Sequence, residues 1–260
     1  MISLEELKSK ARIKVLSLGN AEKDYLIELM LFSISRRIKD ELVFKGGTCL
    51  YKFYKLDRFS EDIDFTTAKP VEIDKLTEGV ISDLNSFGIK SGVHRKKEPF
   101  NSVLLTLRCE GPLYRGTPQT YASVRIDINL KSSIDAEPEN RTYSSAYSDI
   151  PQFSILIMQE KEILAEKIRA VLSRRKARDV YDMRFLLNNG VEIDESIITK
   201  KFEHYNHSWS IAEFEKSIES KRGIWDKELR PVLKNVPPFE EARKLILEEA
   251  KKWSFQKKPR

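Results

Sequence analysis

The chain has 260 residues, of which 40% are hydrophobic, so it can form one large domain or two of modest size. No stretch approaches the run of about 18 apolar residues that a membrane helix needs, and the charged N-terminus is unlike a secretory signal. Cys49 and Cys109 have no metal-ligand spacing, so we expect buried thiols in a reducing cytoplasm. The net charge of +6 permits a polyanionic partner without requiring one.

The first half of the chain alternates predicted helices and strands. Apolar residues at helical spacing predict a helix over residues 21–41, and "LVFKGG" is typical of a short strand that ends at a Gly-Gly turn. Thr48 stands where a helix cap belongs, ahead of a short helix in "CLYKFYK". In "SEDIDFTT" the alternation predicts a strand with apolar side chains on one face and Asp62 and Asp64 on the other.

Beyond this strand the pattern predicts more strands and then almost only helices. We expect a helix over 71–88, a solvated loop over 94–98, strands over 102–110, 122–130 and 153–158, and helices from 159 onward. The pattern of predicted elements changes near residue 158, which predicts two domains. Residues 1–158 contain strands and helices, and residues 159–260 contain helices alone.

Three pieces of the first half are each suited to a nucleotide bound with divalent cations. The turn from Gly46 to Thr48 precedes a helix, so its backbone N–H groups favour a phosphate. Asp62 and Asp64 lie about 7 Å apart along one strand, and Asp127 lies on the polar face of a later one. If the two strands are neighbours, the three carboxylates converge, and hard cations such as Mg²⁺ or Mn²⁺ prefer such oxygen ligands.

Each piece also has an ordinary structural explanation. Gly-Gly-Thr is common in tight turns, and an Asp-x-Asp strand is usually a solvated edge. Asp127 is compatible with an exposed acid on a half-buried strand. Ser60, two residues before Asp62, either contacts the triphosphate or only begins the strand. The order and spacing of the three pieces together favour the nucleotide site.

The segment "KGGTCLYKFYKLDRFSEDIDF" resembles the polymerase-β-type nucleotidyltransferases, which have a Gly-Ser turn, an Asp-x-Asp strand and a third Asp. More narrowly, it resembles the AbiEii/AbiGii toxin family. The segment "EILAEKIRAVLSRRKARDVYDMRFLL" at 162–187 is similar to the same family and is the more discriminating of the two. With a weaker similarity further on, the resemblance covers about residues 43–239. Thr48 replaces the usual Ser, and its hydroxyl can make the same hydrogen bond to phosphate.

The resemblance implies an α+β fold, in which a small mixed sheet with helices carries the metal site and a helical C-terminal domain completes a cleft. It implies a toxin of a toxin–antitoxin system that transfers a nucleotide from an NTP to an acceptor, with the tRNA 3′ end as the first candidate. Its partners would be the NTP, an RNA acceptor and a cognate antitoxin protein. The implied metal ligands are Asp62, Asp64 and Asp127, and the implied phosphate contacts are Gly46, Gly47, Thr48 and Ser60.

The helical half supplies further candidates. Lys167 lies at the edge of an apolar stripe, where a lysine ordinarily extends its amine into water, whereas the resemblance implies a contact with the triphosphate. The resemblance also makes Asp179 a candidate, and either Asp127 or Asp179 could take the acceptor's proton. A basic run is either a solvated helix end or a contact for RNA or nucleotide phosphate. This run consists of Arg174, Arg175, Lys176 and Arg178.

Two other functions fit the same residues. One is a nucleotidyltransferase that acts on a small-molecule or protein hydroxyl, and the other is a catalytically silent scaffold that binds RNA or protein. We expect no zinc site at His204 and His207, because no third ligand is near in the sequence. The basic tail at 251–260 is predicted to be a docked helix end followed by a frayed terminus.

Overall fold

The structure is a computed structural model that describes residues 1–131, 133–206 and 208–253. The predictions on His207 and on the tail beyond residue 253 lie outside the described residues. The helices are α1 (Leu4–Lys14), α2 (Leu18–Ser35), α3 (Gly46–Phe53), α4 (Ile73–Ser86), α5 (Glu160–Ser173), α6 (Ala177–Asn188), α7 (Glu195–His204), α8 (Ile211–Glu219), α9 (Trp225–Leu229) and α10 (Phe239–Ala250). The strands are β1 (Leu42–Lys45), β2 (Asp62–Thr67), β3 (Ser91–Lys97), β4 (Ser102–Cys109), β5 (Ala122–Asn129), β6 (Glu139–Tyr143) and β7 (Phe153–Ile157).

The described residues divide into two compact units. The first unit comprises 1–55, 59–131 and 138–157, and it contains all seven strands. The second unit comprises 56–58, 133–137 and the described residues from 158 onward, and it contains α5 to α10. Two short segments that precede residue 158 in the sequence therefore belong to the second unit. Among the helices of the described ranges, none is long and apolar enough to cross a membrane.

The first unit is built on a seven-stranded mixed sheet with the order β3-β4-β5-β2-β1-β7-β6. The β2–β5 and β1–β7 pairs are parallel, and the β1–β2 and β4–β5 pairs are antiparallel. Helices α2 and α4 cover one face, where Phe65 and Ile126 of the sheet share an apolar interior with Ile34 of α2 and Val80 of α4. The alternation of the central strands leaves polar side chains on the other face, which we call the open face.

The predicted α+β class is confirmed, and most predicted elements are present with shifted ends. The pattern does not predict α1, β3 or β6, and the solvated loop expected at 94–98 is wrong because β3 runs to Lys97. Both missed strands are the edges of the sheet. Edge strands commonly carry charged side chains on both faces, which removes the alternation that identifies a half-buried strand.

Candidate active site

The three predicted acids lie on the open face of two neighbouring strands. β2 and β5 are adjacent and parallel, and their register sets Asp64 directly opposite Asp127. Aligned residues of neighbouring strands point to the same side of a sheet, and their backbones lie about 4.8 Å apart. Asp62 shares this side because it is two residues from Asp64. The sheet therefore places on one face the three carboxylates that the sequence pattern indicates.

Two basic side chains share this acidic region. Lys45 of β1 lies opposite Asp64, and Arg125 of β5 lies opposite Asp62. The Arg125 guanidinium forms an ion pair with the Asp62 carboxylate. This hydrogen bond, together with the charges of the three acids, raises the pKa of Arg125. Arg125 therefore offsets part of the repulsion among the carboxylates.

Gly46 brings the backbone close to the Asp64 carboxylate at the start of α3. Its φ of +76° lies in the left-handed region, which glycine adopts without strain. An added Cβ would lie 3.0 Å from the Cβ of Asp64 and closer still to Oδ2. The first turn of α3, with Gly46 and Gly47, therefore begins beside Asp64. The N–H groups of a first helical turn favour an anionic ligand.

Thr48 has a different place from the one predicted. Helix α3 begins at Gly46 with Lys45 as its N-cap, so Thr48 is the third residue of the helix and not its cap. The Thr48 side chain is buried, and its hydroxyl donates a hydrogen bond to the main-chain carbonyl of Asp62. A hydroxyl has one proton to donate. The hydrogen bond to Asp62 uses this proton and connects α3 to β2. The remaining donors to a phosphate at this turn are therefore its backbone N–H groups.

Ser60 lies just before the strand and not within it. β2 begins at Asp62, so Ser60 does not begin the strand, and of the two explanations that one is wrong. The Ser60 side chain is buried, with 8% of the residue exposed. Its neighbour Glu61 forms an ion pair of 2.7 Å with Lys23 of α2, so this third acid of the motif has a structural partner.

The chemistry of the acidic region fits a divalent cation bound together with a nucleotide. Within the ranges that the structure describes, no three His, Cys, Asp or Glu side chains are close enough to form a complete metal site. Mg²⁺ is ordinarily bound by one or two carboxylates, with water and substrate phosphates as the other ligands. Asp64 and Asp127 supply such a pair. Asp62 is on the same side of the sheet, but its carboxylate is held in the ion pair with Arg125.

In the second unit, Lys167 of α5 has its amine between two carboxylates of α6. The Nζ atom lies 2.9 Å from Oδ1 of Asp179 and 2.8 Å from Oδ2 of Asp182. Lys167 is buried, so the ordinary expectation of an amine extended into water is wrong. Burial alone would lower the pKa of Lys167, but the two carboxylates raise it, and the amine therefore stays charged.

Asp179 is buried and is held by two cations. Besides Lys167, Arg174 donates to it from Nε at 2.7 Å and from Nη2 at 2.8 Å. Burial opposes ionisation, but the charges of Lys167 and Arg174 lower the pKa of Asp179 well below its usual value. So acidic a carboxylate accepts protons poorly at neutral pH. Of the two candidates for the acceptor's proton, Asp179 is therefore held firmly in its charged, ion-paired form.

Arg58, which the sequence pattern does not identify, belongs to the same buried cluster. Its Nε and Nη2 atoms donate hydrogen bonds of 2.6 and 2.7 Å to the two carboxylate oxygens of Asp182. The neighbouring Asp57 accepts a hydrogen bond of 2.7 Å from the Tyr181 hydroxyl. The segment 56–58 is thus fixed to α6 within the second unit. No sequence signal marks Arg58, because its partner is 124 residues away along the chain.

The basic run forms the connection between α5 and α6. Helix α5 ends at Ser173 and α6 begins at Ala177, so residues 174–176 lie between the helices. All three are exposed, but Arg174 is ion-paired with Asp179, and Arg175 donates a hydrogen bond of 3.3 Å to the Ser220 carbonyl. Arg178 lies in the first turn of α6. Arg175 and Lys176 are therefore the members of the run that are most accessible to a polyanion.

Comparison with known families gives one match that covers most of the chain. The family described as "Nucleotidyl transferase AbiEii toxin, Type IV TA system" matches residues 30–258. This range contains both segments on which the sequence resemblance depends. No curated protein matches the chain with significance.

Solved structures share the fold. The nucleotidyltransferase toxin MenT4 from Mycobacterium tuberculosis H37Rv superimposes with a TM-score of 0.68 at 18% identity, over 93% of this chain and 87% of MenT4. A putative nucleotidyltransferase from H. pylori gives a TM-score of 0.60 at 20% identity, over 91% of this chain and 95% of that one. JHP933 from Helicobacter pylori gives a TM-score of 0.54 at 20% identity, over 91% of this chain and 92% of JHP933. At these identities the likeness establishes the fold.

Proposed function

The chain belongs to the AbiEii family of nucleotidyltransferase toxins of type IV toxin–antitoxin systems, and from this premise we propose its reaction and the residues that perform it. The enzyme transfers a nucleoside monophosphate from an NTP to an acceptor hydroxyl and releases pyrophosphate. We propose that the acceptor is RNA, with the tRNA 3′ end as the first candidate. Family membership also implies an antitoxin that counters the toxin.

The observation that carries this proposal is the register that sets Asp64 opposite Asp127, beside the first turn of α3. Asp64 and Asp127 would hold Mg²⁺ or Mn²⁺, with Asp62 as a third ligand once it leaves Arg125. When bound, the cation supplies positive charge that stabilises the triphosphate and the departing pyrophosphate. The backbone of Gly46 and Gly47 would bind phosphate oxygens.

Two steps of the reaction fall to individual side chains. Asp127 is on the open face, and we propose that its carboxylate accepts the proton of the attacking hydroxyl. For Lys167, a contact with the triphosphate is proposed from the family resemblance alone. Asp179 and Asp182 keep its amine charged, which such a role requires. Asp179 is then a positioning residue for Lys167.

The choice of RNA as acceptor rests on charge. The chain has a net charge of +6, and Arg175 and Lys176 are exposed beside α6. Basic side chains of this kind bind nucleic-acid backbones. A small-molecule or protein hydroxyl is the other class of acceptor, and the experiment below separates the classes by where the nucleotide is found.

The purified protein is incubated with each NTP labelled in the α-phosphate, with Mg²⁺ and total cell extract, and the RNA, protein and small-molecule fractions are then separated. We expect label in RNA, and a loss of about 100-fold or more in Asp64→Ala, because removal of a metal-binding carboxylate removes transition-state charge stabilisation. The matched control is Glu61→Gln, since Glu61 belongs to the same motif but pairs with Lys23.

Label found in protein, or in a small molecule other than the NTP and its hydrolysis products, and absent from RNA would exclude RNA as the acceptor. Equal labelling of RNA by Asp64→Ala and the wild type would remove Asp64 from the mechanism.

A further inference from the structure

The hairpin formed by β3 and β4 extends the open face from the acidic region to a basic edge. Across the sheet, Lys97 of β3 lies opposite Leu104 of β4, which in turn lies opposite Asp127 of β5. Two residues further along each strand, Arg95 lies opposite Thr106, which lies opposite Arg125. Aligned residues share a face, so Arg95 and Lys97 point to the same side as the acids.

The basic edge is close enough to the acids to act on one bound molecule. β3 and β5 are two strand spacings apart, which is about 10 Å. The axial rise of a stacked strand is about 3.4 Å per nucleotide, so a few nucleotides span this distance. An acceptor strand that crosses β4 could therefore place its backbone on the basic edge and its terminal hydroxyl at Asp127.

The two open-face cations of β3 are exposed, and within the described ranges neither forms an ion pair. Lys96 lies between them in the sequence but points to the covered face, opposite the buried Leu105. Its amine pairs with Asp74 of α4 at 2.6 Å and with Glu98 at 2.8 Å. The strand therefore neutralises its cation on the covered face and leaves the two on the open face to solvent.

An aromatic side chain stands at the tip of the same hairpin. Phe100 is fully exposed, with a relative accessibility of 105%, and it lies three residues beyond Lys97. A phenylalanine in water gains no burial, so it contributes nothing to the stability of the hairpin. Exposed aromatic rings beside basic residues are the usual means of binding single-stranded nucleic acid, because a base of any sequence can stack on the ring.

We propose that the β3–β4 hairpin binds the single-stranded end of the RNA acceptor. Arg95 and Lys97 contact its phosphates, and the Phe100 ring stacks on a base. The inference rests on the proposed function, since it concerns how the same site receives its acceptor. Charge complementarity selects RNA, because the open-face cations lie next to carboxylates that would otherwise repel an incoming phosphate backbone.

The test is the affinity of the full-length protein for a tRNA labelled with fluorescein at its 5′ end, measured by anisotropy from low to moderate salt. Each phosphate contact contributes about 0.7 to the salt slope for a single strand, so Arg95→Ala/Lys97→Ala should lower the slope by roughly 1.4. Lys96→Ala is the matched control and should leave the slope unchanged. The charge-conserving double variant Arg95→Lys/Lys97→Arg should have the salt slope of the wild type.

Phe100→Ala should weaken binding roughly tenfold with an unchanged salt slope, and Phe100→Trp should retain wild-type affinity, because stacking is independent of charge. The inference is overturned if the alanine variants bind tRNA like the wild type, as they would if the hairpin contacted a protein instead. It is also overturned if Lys96→Ala weakens binding as much as the double variant. Nucleotide transfer to RNA by the wild type, measured in parallel, shows separately whether the proposed function stands.

Discussion

The ion pair between Arg125 and Asp62 occupies one of the three carboxylates that we assign to metal binding. The guanidinium has the sign of charge that a divalent cation would supply, and it lies on the same face as Asp64 and Asp127. Binding of a cation to all three carboxylates therefore requires the displacement of Arg125. We therefore expect the cost of displacing Arg125 to lower the affinity of the nucleotide-free protein for metal.

Removal of this competitor should strengthen metal binding. We expect Arg125→Gln to raise the affinity of the nucleotide-free protein for Mn²⁺ by several-fold, measured by electron paramagnetic resonance of free Mn²⁺. The control is Arg108→Gln, which removes the same charge from the exposed side of β4. Equal Mn²⁺ affinities for Arg125→Gln and Arg108→Gln would show that no specific competition exists.

The close approach of Gly46 to Asp64 gives a second prediction at this scale. Gly46→Ala should destabilise the first unit and abolish nucleotide transfer, because the added Cβ collides with the Asp64 side chain. Gly116→Ala is the matched control, since Gly116 has a φ of +78° but an added Cβ there would meet nothing within 4 Å. It should cost only the left-handed strain of about 1–2 kcal/mol and leave transfer intact. Similar losses of activity in both variants would argue against the contact.

Alternation along the chain was sufficient to predict the positions of the acids, because a strand of period two fixes which side chains share a face. It could not predict the ion pair of Arg125 with Asp62, which depends on the register between β2 and β5. The place of Thr48 is also not predictable, because the pattern does not show that α3 already begins at Gly46, two residues earlier.

Among the secondary-structure elements, the strands with a buried apolar face are the ones that the sequence pattern predicts. The central strands β2, β4 and β5 have apolar residues on the covered face, and each was predicted from that pattern. The edge strand β3 has almost none, and hydrogen bonding to β4 holds it in the sheet. Arg58 illustrates the same limit in the second unit, because a long-range ion pair leaves no periodic signal.

A buried ion-pair network joins the helices of the first unit, and it makes stability depend on pH. Glu28 of α2 accepts hydrogen bonds from Lys52 of α3 at 2.6 Å, from Lys14 of α1 at 2.9 Å and from Tyr143 of β6 at 2.8 Å. Burial alone would raise the pKa of Glu28, but the two lysines hold it at about 2. Its contribution to stability is complete above its ordinary pKa of 4.5 and is lost as the pH falls toward 2.

We expect the unfolding free energy to fall by about 3 kcal/mol on this account as the pH is lowered through that window. Glu28→Gln should remove most of this pH dependence. The unfolding free energy is measured at each pH by urea denaturation, monitored by far-ultraviolet circular dichroism. The exposed Glu5, paired with Lys8, serves as the control, and Glu5→Gln should leave the slope nearly unchanged. A slope in Glu28→Gln equal to that of the wild type would contradict the assignment.

In the second unit, the Arg58–Asp182 pair should be a major source of stability. Arg58→Ala leaves Asp182 with one buried cation fewer, and breaking a buried pair costs about 3–5 kcal/mol. All three tryptophans, Trp209, Trp225 and Trp253, lie in this unit, so their fluorescence reports its unfolding in urea.

The control is Arg230→Ala, which removes an exposed pair with Asp226 in the same unit and should cost well below 1 kcal/mol. Unfolding of the two variants at the same urea concentration would show that Arg58 does not stabilise the second unit.

At the scale of the whole molecule, the two units have different tasks in this account. The first unit carries the acids, the glycine turn and the basic hairpin, and the second holds Lys167 and Asp179 in a buried cluster of compensated charge. Family membership establishes the class of enzyme. The proposal of an RNA acceptor rests on the surface, where exposed cations lie on the same sheet face as the acids.

The central claim is that the carboxylates of β2 and β5 direct transfer of the α-phosphorus of an NTP to RNA. The most direct test compares NTP labelled in the α-phosphate with NTP labelled in the γ-phosphate, using purified tRNA, Mg²⁺ and the wild type beside Asp64→Asn and Asp127→Asn. We predict that RNA acquires the α label alone, that pyrophosphate carries the γ label, and that both variants transfer neither. RNA that carries the γ label, or undiminished transfer by the two variants, would contradict the account.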